Sequence, residues 1–289
     1  MEDSQVLVVG AYGQLGKALV ARFPGAVAVD RDQLDITDPE ALAAFDWSNI
    51  KYLFNAAAYT NVDGAETPEG RKAAWMINAT AVGNLVRIAA AKDITMVHIS
   101  SEYVFDGTVS PHKEDEPFSP LGVYAQAKAA GDIVVGTLPK HYVVRVSWLI
   151  GDGPNFVRTM SGLAERNISP TVVDDQVGRL TFTKTLVDGI EKLVKDKAPY
   201  GTYNLSNEGE AASWATITGV IFAELGRHDL TVTGIPTAEY FKDKPEASPR
   251  PLQSTLDLSK IEAIGFTPQN WEEALAEYIE AEKSNQKEA

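Results

Sequence analysis

Apolar residues in the first 150 positions fall into short runs separated by longer amphipathic stretches. Runs with the length of buried strands lie near residues 5–10, 26–30, 51–56, 94–100 and 142–147. Between them, near 13–23, 38–46, 69–92 and 121–137, apolar positions recur every three or four residues, the period of a helix with one buried face. This alternation predicts a parallel sheet covered by helices on both sides. After Trp148 the pattern loosens and proline and glycine become frequent, as in GDGPN and EASPRPL. A smaller second lobe over 151–289 is expected, with helices at TKTLVDGIEKLVKD and NWEEALAEYIEAEKS. No internal repeat, low-complexity segment or long linker interrupts the chain.

The first apolar run leads directly into Gly10-Ala11-Tyr12-Gly13-Gln14-Leu15-Gly16, and Leu15, Leu19, Val20 and Phe23 then mark one helical face. Strand, glycine turn and helix in this order form a dinucleotide-binding entry. The glycines let the backbone approach a pyrophosphate, and the helix N-terminus favours its charge. A glycine turn alone often only connects two elements; here Asp30 closes the second run, about 20 residues past the first glycine, where an acid can bond a ribose hydroxyl. The expected fold is therefore α/β: a Rossmann-type, doubly wound parallel sheet over 1–150, with a smaller C-terminal substrate lobe. Arg31, next to Asp30, offers a planar fork for the 2′-phosphate of NADPH, which Asp30 would repel. The two neighbours oppose each other, so use of both NADPH and NADH is expected. The alternative is that Arg31 and Asp32 only face solvent in a turn.

Ser101, Tyr124 and Lys128 carry the candidate chemistry. Ser101 closes the run MVHIS, and Tyr124 and Lys128 lie four apart, on one face of a helix. A phenol, an ammonium and a hydroxyl that converge can reduce a carbonyl. The serine holds the substrate oxygen, the tyrosine gives it a proton, and the cation lowers the tyrosine pKa from about 10. An isolated Tyr-x-x-x-Lys is more often a surface lysine one turn beyond a half-buried aromatic; the neighbouring motifs change that balance.

Taken together, residues 10–16, LDITD at 34–38, NAAAYTNVDGAE at 55–66, SSEYVFDG at 100–107, SPLGVYAQAKAAGD at 119–132, VVRVSWLIG at 143–151, DDQVGRLT at 174–181 and RPLQSTLD at 250–257 resemble the extended short-chain dehydrogenase/reductases, specifically the dTDP-4-dehydrorhamnose reductases. The resemblance spans nearly the whole chain. It implies NAD(P)H-dependent reduction of the C4 ketone of dTDP-4-dehydro-L-rhamnose to dTDP-L-rhamnose, a donor for rhamnose-containing cell-wall polysaccharides. Tyr124 would be the proton donor, Lys128 would also bond the nicotinamide ribose, and Ser101 would orient the carbonyl. The implied cofactor residues are Gly10, Tyr12, Gly13, Gln14, Leu15, Gly16, Asp30, Arg31, Asp35, Ile36, Asn55, Ala56, Ala57 and Ala58, with Tyr124 and Lys128. The implied sugar-nucleotide residues are Thr60, Val62, Ser101, Tyr103, Tyr124, Trp148 and Arg250. The helix near 181–200 is implied to return to the nucleotide domain. Asn78 is implied to support the active-site backbone, although a solvent-facing asparagine fits the sequence nearly as well. For Ala56–Ala58 and Trp148, plain packing is the competing reading. Two departures stand out: Ser101-Glu102 replaces the family's usual Thr-Asp, and Leu180 stands where proline is usual.

Composition adds mainly exclusions. With no cysteine, disulfides, thiolate catalysis and cysteine-bound zinc are ruled out. The four histidines lack metal-ligand spacing, so no metal site is expected. A net charge of −14 argues against nucleic acid as a partner. It also requires local positive groups for anionic ligands: Arg158, Arg179 and Arg250 are candidates, with Arg158 read as solvated. No apolar stretch approaches a membrane span and the first strand begins almost at once, so a cytoplasmic protein is expected. Some relatives join subunits through carboxylates and a metal just after the glycine turn. Gly16-Lys17-Ala18 offers no such ligand, so a monomer or weak homodimer is expected. Relatives fused to a 3,5-epimerase make association with that activity a further implied possibility. Two rival functions remain. The first is a nucleotide-sugar dehydratase or epimerase; by the resemblance, dehydratases place an Asp-Glu pair where this chain has Glu102-Tyr103. A non-catalytic dinucleotide-binding regulatory subunit would have no need of Ser101, Tyr124 and Lys128.

Overall fold

A computed structural model describes residues 1–288. Six strands form a parallel sheet: β1 (Val6–Val9), β2 (Val27–Val29), β3 (Tyr52–Asn55), β4 (Thr95–Ser101), β5 (His141–Val146) and, from the second half, β10 (Gly201–Asn204). Their order is β10-β5-β4-β3-β1-β2. The chain winds one way from β1 to β2 and the other way from β3 onward, so the order reverses between β1 and β3 and opens a crevice at their C-terminal ends. All four residues of central β1 are buried, whereas edge strand β2 runs from exposed to buried. A strand covered on both faces has to read as a continuous apolar run.

Alternate side chains of β1 enter two different cores. Val6 and Val8 pack with Leu15 and Leu19 of α1 (Gln14–Arg22) and with Leu186 and Ile190 of α7 (Thr183–Lys195). Leu7 and Val9 pack with Leu42 of α2 (Pro39–Ala44) and Leu85 of α4 (Val82–Lys92). Each wholly buried aliphatic side chain contributes about 1.5–3 kcal/mol, so register is strongly set: a one-residue slip would exchange the two faces.

The expected single helix over 69–92 is three pieces. Thr67 caps α3 (Pro68–Trp75) by accepting the Gly70 N–H at 3.0 Å, and Pro68 occupies the first turn, where its missing N–H costs nothing. A π-turn, Met76–Ala81, follows and leads into α4. The wider turn swings the buried Asn78 off the α-helical path. It faces α5 (Val123–Val135), whose Gly131 has no side chain to obstruct the Asn78 carbonyl.

The second half adds β6 (Leu149–Ile150), α6 (Phe156–Glu165), β7 (Thr171–Val173), β8 (Val177–Gly178), β9 (Thr181–Phe182), β11 (Ala212–Ser213), α8 (Trp214–Glu224), β12 (Thr233–Ile235), α9 (Thr237–Tyr240), α10 (Ser259–Ala263) and α11 (Trp271–Glu288). A third core, with Val157, Ile217, Ile221, Trp271 and Leu275, holds α6, α8 and α11 together. Helix α7, β10 and residues Leu256, Leu258 and Ile261 instead join the core on the α1 face of the sheet. Strand β10 has no counterpart among the sequence expectations. Among the described residues, no helix is long and apolar enough to cross a membrane.

Candidate active site

Two adjoining cavities, each about 430 Å³, occupy the crevice and share Gly13, Ala56 and Ala58. The first is lined by Gly10, Gly13, Asp30, Arg31, Asp35, Ile36, Ala56, Ala57 and Ala58, all expected cofactor residues, and also by Leu34, Thr37, Ala73, Met76 and Ile77. Gly10 has φ +75°, and a Cβ there would lie 2.6 Å from the Ala57 nitrogen. A Cβ on Gly16 would lie 2.0 Å from the Gly10 carbonyl oxygen. Only glycine lets strand, turn and helix close up this far. No side chain caps α1, whose N-cap is Gly13, so its first N–H groups are left for an anion. This bare cradle fits a dinucleotide pyrophosphate.

Asp30 accepts the Tyr12 N–H at 3.2 Å and the Arg31 N–H at 2.8 Å. Arg31 is 83% exposed and stands 3.6 Å from Asp35. Hydrogen bonds from the Thr37 hydroxyl and N–H, then the Arg31 charge, hold the Asp35 carboxyl below its ordinary range. Three expected cofactor residues lie off the lining. Tyr12 is exposed, Gly16 lies beneath the turn, and Asn55 is buried. The Asn55 amide meets His98 Nδ1 at 3.0 Å and its oxygen accepts the Ala57 N–H at 3.2 Å, so the side chain shapes the loop from within.

The second cavity brings together Gln14, Leu15, Thr60, Val62, Ser101, Tyr103, Tyr124, Lys128 and Trp148, with Glu102, Ile99, Ser100, Val146 and Leu149. Ser101 ends β4, and α5 carries Tyr124 and Lys128 on one face toward it. Asn78 accepts the Tyr59 N–H at 2.9 Å and donates to the Tyr59 carbonyl at 3.0 Å, fixing the loop that bears Thr60 and Val62. The solvent-facing alternative for Asn78 is thereby excluded. Trp148 has φ +43°, a costly conformation for a bulky residue, and stacks on Trp214 at 3.7 Å between centroids. Held there, its ring forms a wall of the cavity. Arg250 lies beside the cavity rather than in its lining. It donates to Asp63 at 2.6 Å and to the Ser248 carbonyl at 2.8 Å, and its charge acts on Tyr103. Arg158, expected to be solvated, pairs with Glu282 at 2.6 Å and Asp152 at 3.1 Å.

The electrostatics differ from expectation. Burial, then repulsion from Glu102, raises the Tyr124 pKa above its ordinary value, and Lys128 does not reverse this. Lys128 is buried, which pulls its own pKa down to about 8, and it donates to the Ile99 carbonyl at 2.6 Å. The phenol is thus held protonated. Glu102, not among the expected site residues, is 3% exposed, and burial raises its pKa to about 7. Its place next to Ser101 was the only available signal, because a carboxylate in a sequence reads as surface.

A family model described as "RmlD substrate binding domain" matches residues 4–284. The spore coat polysaccharide biosynthesis protein SpsK of Bacillus subtilis is 33% identical over 97% of this chain and 99% of its own. A dTDP-4-dehydrorhamnose reductase of Aggregatibacter actinomycetemcomitans is 35% identical over 94% of this chain and 97% of its own. The crystal structure of the Bacillus anthracis dTDP-4-dehydrorhamnose reductase in complex with NADP superimposes with a TM-score of 0.87 at 32% identity, covering 95% of this chain and 98% of that one. With its glycine cradle, its Ser-Tyr-Lys cluster and matches along nearly its whole length, the chain belongs to the RmlD substrate binding domain family, alongside the dTDP-4-dehydrorhamnose reductases.

Proposed function

We propose that this protein reduces the C4 ketone of dTDP-4-dehydro-L-rhamnose to dTDP-L-rhamnose with NADPH or NADH. The observation that carries this reading is the meeting of Ser101, Tyr124 and Lys128 in a cavity continuous with the glycine cradle. Gly10, Gly13 and the α1 N-terminus would hold the pyrophosphate, Asp30 and Arg31 the adenosine ribose, and Lys128 the nicotinamide ribose. When bound, the reduced nicotinamide supplies a hydride. Tyr124 holds the proton that the substrate oxygen needs as it gains charge. Its raised pKa keeps the phenol protonated until the substrate oxygen, a stronger base as an alkoxide, takes the proton. Ser101 positions the carbonyl oxygen by hydrogen bonding. Thr60, Val62, Tyr103 and Trp148 would enclose the deoxysugar, with Arg250 beside the diphosphate.

A dehydratase needs a second carboxylate where Tyr103 stands, and a regulatory subunit has no use for a buried Tyr-Lys pair behind a serine. The cores support a nucleotide domain of residues 1–150 completed by the return at about 181–200 and by β10, with the sugar lobe built on α6, α8 and α11. We read the protein as a cytoplasmic monomer or weak homodimer.

Incubating the purified protein with NADPH and dTDP-4-dehydro-L-rhamnose should consume the reduced nicotinamide and yield dTDP-L-rhamnose by chromatography. Tyr124→Phe should lose on the order of 10² to 10⁴ in kcat while still binding NADPH. Wild-type rates in that variant would exclude Tyr124 as the donor. An inert wild-type protein would remove the reductase reading altogether.

A further inference from the structure

Reduction requires a hydrogen-bond donor aimed at the substrate oxygen. A serine hydroxyl has one hydrogen and two acceptor positions. At Ser101 one acceptor position takes the Tyr103 N–H, at 3.2 Å. The hydrogen goes to the Glu102 carboxylate, at 2.8 Å. The Tyr124 phenol oxygen also lies within reach of the Ser101 hydroxyl, whose hydrogen bond would favour the phenolate. With Glu102 ionised, the serine hydrogen therefore points away from a substrate.

We propose that Glu102 sets the direction of the Ser101 hydroxyl: as a carboxylic acid it donates to Ser101 and turns the serine hydrogen toward the substrate ketone, and as a carboxylate it takes that hydrogen and disarms the site for reduction. The proton count is simple. Glu102 gains one proton from water, Ser101 keeps its own, and Tyr124 gives its proton to the substrate oxygen. Glu102 is thus a positioning residue that acts through Ser101. This rests on the reductase reading given above.

The surroundings suit a carboxyl that changes state near neutrality. Glu102 is 3% exposed, and the Ser254 hydroxyl also bonds it. Burial pushes its pKa up to about 7. The titratable groups that its charge meets are Tyr103 on its own turn and Tyr124 on α5, and Tyr103 in turn meets Arg250 and Asp63. Lys128, one turn beyond Tyr124 on α5, also titrates within the working range, near 8.

The decisive comparison is kcat/KM for reduction against pH in the wild-type protein and in Glu102→Gln, whose amide can donate to Ser101 at every pH. Between about pH 6 and about pH 8, a group titrating near 7 passes from roughly nine-tenths to roughly one-tenth protonated, so the wild type should lose about tenfold from this source alone. Glu102→Gln should lack that tenfold, leaving only the shallower fall that begins near 8, where Lys128 deprotonates. The same fall in both proteins would overturn the proposal. A second measurement stands without turnover: the carbonyl stretch of the Glu102 acid, followed by infrared difference spectroscopy in the wild type. Its midpoint should lie near 7 and should rise in Ser101→Ala, because a hydrogen bond to the charged form is lost. A midpoint in the ordinary carboxylate range, or one that Ser101→Ala leaves unmoved, also overturns it. If the wild type fails to reduce the sugar nucleotide, the reductase reading fails, and the infrared titration still decides whether Glu102 and Ser101 share a proton.

Discussion

Gly131→Ala should disable the enzyme more than it destabilises it. A Cβ at position 131 would lie 2.4 Å from the carbonyl oxygen of Asn78 and 3.5 Å from His98 Nε2. The first contact involves backbone in the π-turn, which no rotamer change can move. Relief to ordinary contact takes a separation of roughly 1 Å between α5 and the turn. Overpacking of this kind costs about 1–3 kcal/mol, partly offset by the 0.5–1 kcal/mol that alanine gains over glycine inside a helix. The net loss in stability should thus be modest, near 1–2 kcal/mol. Function should suffer more, because α5 carries Tyr124 and Lys128, and a displacement of about 1 Å at reacting groups can cost on the order of 10² in rate. The assay pairs urea unfolding with kcat for ketone reduction and a separate NADPH titration. An unaltered kcat would show that α5 and the π-turn are not the rigid pair that aligns the cluster.

Three further outcomes follow from the same geometry. Asn78→Ala leaves the Tyr59 N–H and carbonyl without partners, so unfolding free energy should drop by about 2–4 kcal/mol and NADPH affinity should fall as the 56–62 loop loosens; an unchanged urea midpoint would argue against it. Arg31→Ala should raise KM for NADPH by about 10- to 100-fold and leave KM for NADH nearly unchanged, and equal shifts would mean that Arg31 never meets the 2′-phosphate. Glu102 makes stability depend on pH. Its folded pKa, about 7, is raised above the ordinary 4.5, so its favourable contribution is complete below 4.5 and lost as pH rises through 7. Relative to Glu102→Gln, the wild type should therefore lose about 3 kcal/mol of unfolding free energy between pH 5 and pH 8, and a pH-independent difference would contradict the raised pKa.

The strands of the nucleotide domain were legible because a strand buried on both faces must be apolar throughout, and β1 and β3–β5 advertise this. Strand β10 was not, since Gly201-Thr202-Tyr203-Asn204 gives no apolar run; its place comes from pairing with β5 and from the buried Tyr203. The cluster was legible because Tyr124 and Lys128 share a helical period. The direction of the Tyr124 shift was not, because spacing reveals a nearby cation but neither how dry the site is nor that Glu102 turns inward. The π-turn was equally hidden, as WMINAT carries the same helical period as its flanks. Trp148 showed its aromatic ring in the sequence but not its left-handed backbone, which depends on the distant Trp214.

A π-turn is a single residue too many in an otherwise regular helix. The six residues Met76–Ala81 therefore sit where a one-codon deletion would leave α3 and α4 in phase, α3 still against α5 and α4 still on the sheet. Such an allele should yield a folded protein weakened by the lost Tyr59 bonds. Only Asn78 would be withdrawn, and with it the hold on Tyr59. In a genetic screen this segment would therefore mark positions where a single lost codon moves the active-site loop while the helices on either side keep their packing.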